Sequence, residues 1–247
     1  MATLVGSPAR AFSGGAGTTV AVTYGTAVQV NDVIVVAVGG YDDVATINVP
    51  TDNLSTPTTY TRVGTLLRGS GANSGADRPM LDVFVGPVVA AGTPTVTATF
   101  TGGSPIEREI KVWVWRGVDT TTPVNATNGA TGTTDNASAT GNIVTTSPGP
   151  IMAIVNEFAW AASHSEAAGS PSTGWTEFGD TATGSDSKYR NETGTGTFNG
   201  DFTWSAALDE WATRIVALSD AAAVGAGAQR RPLSLRPAPF APGGWRR

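Results

Sequence analysis

Cysteine is absent from the 247 residues, which removes disulfides, thiolate metal sites and cysteine nucleophiles together. Histidine occurs once, as His164 in the small polar stretch Ser163-His164-Ser165-Glu166. A catalytic relay draws its members from separate elements that converge in space, and neighbours in one loop do not. Charge is sparse as well, at 14% of residues. The clustered acids Asp42-Asp43, Asp52, Asp186 and Asp209-Glu210 lack the ligand spacing of a calcium loop and read as solvated loop carboxylates. No motif singles out a carboxylate pair for glycoside hydrolysis. No glycine-rich loop sits between a strand and a helix to cradle phosphate, because helical periodicity is missing throughout. The longest apolar run, Val33 to Val38, is far shorter than the ~20 residues of a membrane-spanning helix. The N-terminal residues show no basic segment leading into an apolar stretch with a cleavage site. These absences predict a soluble protein made in the cytoplasm, without catalytic residues, cofactor or metal.

Glycine is abundant instead, 31 of 247 residues, nearly twice the usual ~7%. With the many threonines, alanines and valines it favours short strands joined by tight turns. Val20, Val22 and Tyr24 alternate with small or polar residues, and Asn31-Asp32 turns the chain into the apolar run from Val33. Further strands are predicted over Thr58–Leu67, Pro79–Pro87, Thr95–Thr101 and Ile110–Arg116. Val96, Ala98 and Phe100 share one face of their strand. The loop Arg68–Asp77 has nothing to bury, and Thr120–Gly141 reads as a polar crossover.

After that crossover the pattern returns. Val33-Ile34-Val35-Val36 lies over Ile151-Met152-Ala153-Ile154. Thr58-Thr59-Tyr60-Thr61-Arg62-Val63-Gly64 lies over Thr173-Gly174-Trp175-Thr176-Glu177-Phe178-Gly179, and Glu109–Trp115 over Glu210–Val216. The second copy is shorter in its loops, as a diverged duplication should be, since surface connections tolerate deletion better than paired strands. Its strands are predicted over Ile151–Ala159, Gly174–Phe178, Ser187–Glu192, Gly200–Trp204 and Trp211–Leu218. The expected fold is therefore all-β: an antiparallel β-sandwich, jelly-roll-like, built from two tandem copies of a five- to six-stranded unit. The copies span about 15–120 and 131–220 within a body of residues 1–220, because either unit alone would leave open edges and an open core.

The last residues differ from the body. Residues 221–247 hold five arginines and no acid, while residues 1–220 hold ten basic against 20 acidic side chains, so an acidic body carries a basic arm. The arm starts with a small-residue linker, Ala221 to Ala228, and continues through Pro232, Pro237, Pro239 and Pro242, which favours an extended path over helix or central strand. Arg230, Arg231, Arg236, Arg246 and Arg247 offer charge, and Leu233, Leu235, Phe240 and Trp245 offer apolar anchors. These nine residues are the candidate partner-binding site. The acidic body argues against nucleic acid as the partner.

Of the seven tryptophans, Trp113 and Trp115 stand two apart on one strand and hence on one face with Lys111. Trp160, Trp175, Trp204 and Trp211 fall in the second copy and Trp245 in the arm. An exposed aromatic row would suit a sugar ring. Matched aromatics in both copies, Tyr60 with Trp175 and Phe100 near Trp204, suit a core or subunit interface better.

The succession of apolar strand, Thr-Tyr-Thr or Gly-Trp-Thr strand ending in glycine, Thr/Val-rich strand, and Trp113-Val114-Trp115-Arg116-Gly117-Val118-Asp119 with Pro123 beyond resembles the duplicated β-sandwich structural proteins of tailed bacteriophages. The likeness covers residues 15–220. The second copy departs from it, ending Leu218-Ser219-Asp220 where the first has Gly117-Val118-Asp119. It implies a virion protein of head or tail, made in the host cytoplasm and homo-oligomeric, with no catalytic residues to carry over. On this expectation the chain is a non-enzymatic capsid decoration protein whose arm lies on major capsid or tail proteins. The alternative is a tail or fibre adhesin that binds a cell-surface glycan. Coiled-coil heptads and long fibre repeats are missing, which favours decoration.

Overall fold

A computed structural model describes residues 1–69, 78–158, 174–178 and 185–221; of residues 134–137, 157–158 and 203–209 it describes the backbone. The described residues contain strands and no helix. The first part of the chain forms β1 (Thr3–Leu4), β2 (Ala9–Ser13), β3 (Thr19–Thr23), β4 (Val33–Tyr41), β5 (Thr46–Ile47), β6 (Thr51–Asp52), β7 (Thr61–Arg62), β8 (Leu67–Arg68), β9 (Pro79–Pro87), β10 (Thr95–Thr101) and β11 (Ile106–Arg116). The rest forms β12 (Val124–Ser138), β13 (Ile143–Val144), β14 (Gly149–Phe158), β15 (Thr176–Glu177), β16 (Ser185–Glu192), β17 (Thr197–Phe198) and β18 (Phe202–Leu218).

Among the described residues these strands form four antiparallel sheets. One runs β1-β11-β4-β9-β7, with β2 also on β11 and β8 on β9; a smaller one runs β3-β10-β5, with β6 on β10. The third runs β12-β18-β14-β16-β15, and β13 pairs with β17. The two large sheets share one strand order: β11-β4-β9-β7 reads as β18-β14-β16-β15, with β1 and β2 flanking β11 as β12 flanks β18.

Three apolar clusters lie between the sheets. Ile34, Val36 and Val38 of β4 face Val20, Val22, Val96 and Phe100 in the first. Val33, Val35 and Ala37 point the other way, into a second cluster with Trp113, Trp115, Met152, Ile154, Val216 and Leu218. Ile151, Ala153, Val155 and Ile215 face a third, with Ile143 and Phe202. A strand covered on both faces needs apolar residues at every position. That is why Val33–Val38 and Ile151–Val155 are unbroken runs, whereas β10, covered on one face, alternates.

Several elements differ from their expected form. Thr120–Gly141 is not a crossover: fifteen of its residues form β12, paired along β18. Its Thr, Asn and Gly residues gave no strand signal because an edge strand is held mainly by backbone bonds; Val124 packs on the second cluster and Ala126 and Ala130 on the third. Thr58–Leu67 yields only the two-residue strands β7 and β8. The two strands expected over Gly200–Trp204 and Trp211–Leu218 are one, β18. Most of the loop Arg68–Asp77 lies outside the described residues.

The matched segments also shift in register. Val36 pairs with Val112 and Val155 with Thr213. When Glu109–Trp115 is laid over Glu210–Val216, Val33 therefore matches Met152, one residue beyond Ile151. Val33 and Met152 share the middle cluster, whereas Ile151 faces away from it. A strand buried on both faces carries no period-two signal to fix its register. The middle segment slips by two residues: Val63 N–H donates to Val83 O at 2.8 Å and Phe178 N–H to Ser187 O at 2.7 Å, whereas the pairing of β9 with β4 and of β16 with β14 sets Val83 against Ser185.

Candidate functional site

The described chain ends at a seam between its two halves. Gly117, at a positive φ of 81° that favours glycine, turns the chain out of β11 and accepts a 2.7 Å hydrogen bond from Ala221 N–H. Val118 bridges to Asp220, and Asp119 N–H donates to Ser219 O at 2.9 Å. Ser219 N–H donates to Pro123 O at 3.0 Å and Asp220 N–H to Pro148 O at 2.8 Å. The Asp220 carboxylate accepts Ala2 N–H at 2.6 Å, and Asn191 donates to Ala2 O. Segments from both ends and the middle of the sequence thus fix residues 219–221, the root of the arginine- and proline-rich stretch beyond.

Two concavities flank this root. One of about 440 Å³ is lined by Val30, Asp32, Arg116, Asp119, Thr120 and Ala221 among others. Asp32 holds Arg116 with two 2.8 Å hydrogen bonds, a bidentate pair of fixed geometry. The other, about 590 Å³, is walled by Val63, Val85, Pro87, Pro123 and Val124, with Thr121 at its rim. Thr120 lines both. Asp119 accepts Thr121 N–H at 2.8 Å, Thr122 N–H at 3.3 Å and the Thr122 hydroxyl at 3.0 Å. Those donors hold its carboxyl below the usual aspartate range and keep it charged.

All nine predicted partner-binding residues, Arg230, Arg231, Leu233, Leu235, Arg236, Phe240, Trp245, Arg246 and Arg247, lie outside the described residues, as does His164. The tryptophans divide. Trp113 and Trp115 are buried in the middle cluster and meet Phe178 and Tyr189 of the second half edge-on, with centroids 5.6 Å and 6.0 Å apart. Trp211 is buried in the third cluster. Trp175 is half-buried, with Lys188 and Arg190 over its ring. Trp160, Trp245 and the Trp204 side chain lie outside the described residues.

The acids divide too. Asp42 accepts Val44 N–H and Ala45 N–H, and Asp52 accepts Leu54 N–H and the Tyr60 hydroxyl, so both shape turns. Asp186 and Glu210 are not solvated loop carboxylates: both sit on strands and are buried.

Sequence reasoning missed several buried charges, Asp82 and Lys111 among them. Asp82, wholly buried on β9, pairs with Arg62 at 2.7 Å. Burial pushes its carboxyl up to about 6 against the opposing pull of Arg62 and Arg214. Lys111, buried on β11, donates to Ser185 Oγ at 3.0 Å and lies 3.6 Å from Glu109. Burial pushes its ammonium down, with Glu109 and Asp186 resisting. The available signal for Asp82 was a charge inside the otherwise apolar run of β9, where solvent-facing positions are not expected; β11 carries Glu107, Arg108 and Glu109 beside Lys111 and offered no such contrast.

None of the family profiles, curated proteins or solved structures compared with this chain matches it.

Proposed function

We propose that this protein is a structural protein of a bacteriophage virion, a capsid decoration protein with a duplicated, jelly-roll-like β-sandwich body anchored by its arm, residues 221–247. The observation that carries the reading is the root of the arm. Ala221 is held on Gly117 at the seam of both halves, beside two open concavities and in front of a stretch rich in arginine and proline. A fixed root loses no further freedom when the arm docks, and proline-stiffened backbone loses less than a Gly/Ser tail. The shared strand order of the two large sheets supports the duplication. Burial of Trp113 and Trp115 favours decoration over the adhesin, because the aromatic pair on one strand is spent on packing between the halves.

In this reading the partners are other virion proteins and further copies of the chain. Deletion of residues 229–247, followed by measurement of particle occupancy under rising salt, tests it. The truncated protein is expected to be lost from particles at salt concentrations that the full chain withstands. Equal occupancy by both would leave the β body as the sole attachment surface.

A further inference from the structure

We infer that the 590 Å³ groove at the seam is the receptor for the arm of a second copy of this chain, with Leu233, Leu235 or Phe240 seated between Pro87, Pro123 and Val124. The inference rests on the proposed anchoring role of the arm and names one of its landing sites. The groove is lined by Val63, Val85, Val124 and two prolines together with threonines; Val63 and Val85 are buried, whereas Thr59, Thr61, Thr121 and Thr122 are exposed. A volume within the roughly 300–1,000 Å³ of ligand pockets holds a few large side chains rather than a folded partner. An extended segment that alternates apolar residues with proline fits that shape.

Charge fits as well. Asp119, beside Thr120 where the groove meets the smaller concavity, presents a carboxylate to an arm whose charges are all positive. Arg62, the basic residue of the groove, is already paired with Asp82.

The point of exit favours a neighbour's groove over the chain's own. Eleven residues lie between Ala221 and Leu233, twelve steps with a reach of roughly 40 Å when extended. Ala221 shares a concavity with Thr120, so an arm docking on its own body would have to fold that length back on itself. Between copies the same length spans the gap. Reciprocal exchange of arms then closes a ring or dimer from identical contacts, with each arm strengthened by the others through effective concentration.

The absence of native cysteine makes the test direct. Two full-length variants are prepared, Thr121→Cys at the groove rim and Phe240→Cys in the arm, then mixed under mild oxidation. Disulfide-linked 121–240 pairs are expected to form at least tenfold faster than with Thr19→Cys, an exposed position on β3, as the groove-side partner. The double variant Thr121→Cys/Phe240→Cys is expected to give linked oligomers. Closure of the double variant into a cross-linked monomer would overturn the inference, as would equal rates for Thr121→Cys and Thr19→Cys. Either result leaves the deletion experiment on particles free to succeed, so the two readings fail separately. A third variant, Val124→Arg added to Thr121→Cys, is expected to slow the linking to the Thr19→Cys rate, and unchanged speed would count against the groove.

Discussion

Among single residues, Asp82 has the clearest consequence. Its carboxylate faces Arg62 across 2.7 Å, yet burial outweighs that attraction and its pKa rises to about 6. An unfolded aspartate titrates near 3.9. Between those values the folded protein binds more protons than the unfolded chain, so stability falls as pH rises through the window. The stabilisation is complete below about 4 and lost above about 6, a difference on the order of 3 kcal/mol. Asp82→Asn cannot titrate. Chemical denaturation of both proteins from pH 4 to pH 7 should show the wild-type stability declining relative to the variant across that interval. Parallel curves would mean that Asp82 ionises normally.

Between elements, the contact of β4 with β14 turns on one glycine. Asn156 of β14 reaches across to donate to Met80 O at 2.8 Å, passing over Gly39 of β4. A Cβ added to Gly39 would land on the Asn156 amide. Gly39→Ala should therefore displace Asn156 and leave a buried carbonyl with one fewer donor, at a cost of about 1–3 kcal/mol. Asn156→Ala should cost a similar amount, and the double variant should cost clearly less than the two together, since both act on one bond. Additive losses in a denaturation cycle would show that the residues act separately. The same scale explains the slip between matched segments: β4 and β14 are apolar on both faces, so neighbouring alignments look alike until the ladders fix one.

For the whole molecule, the middle cluster decides cooperativity. It draws Val33, Trp113 and Trp115 from the first half and Met152, Ile154 and Val216 from the second, so separating the halves would expose this shared cluster, although the first and third clusters each lie within one half. Calorimetry should show one transition spanning both halves. Trp113→Ala removes the ring that meets Phe178 and should cost about 3–5 kcal/mol, lowering that single Tm by roughly 10 °C. Two separated transitions, with only the first moved by the substitution, would show that the halves fold independently.

Composition and spacing alone carried the all-β class, the antiparallel strands around Val33, Pro79, Thr95 and Ile110, the shared face of Trp113 and Trp115, and the contrast in charge between residues 1–220 and 221–247. Those features are local: strand periodicity, turn residues and charge are written within a few neighbours. Tertiary structure decided the rest. β12 became a strand because β18 was there to pair with it, a fact that no run of Thr, Asn and Gly announces. Asp82, Lys111 and Glu210 became buried because other sheets cover their strands. Val63, Val85, Pro123 and Val124 became the walls of one groove, although they are scattered through the sequence, because packing of one half on the other brings them together.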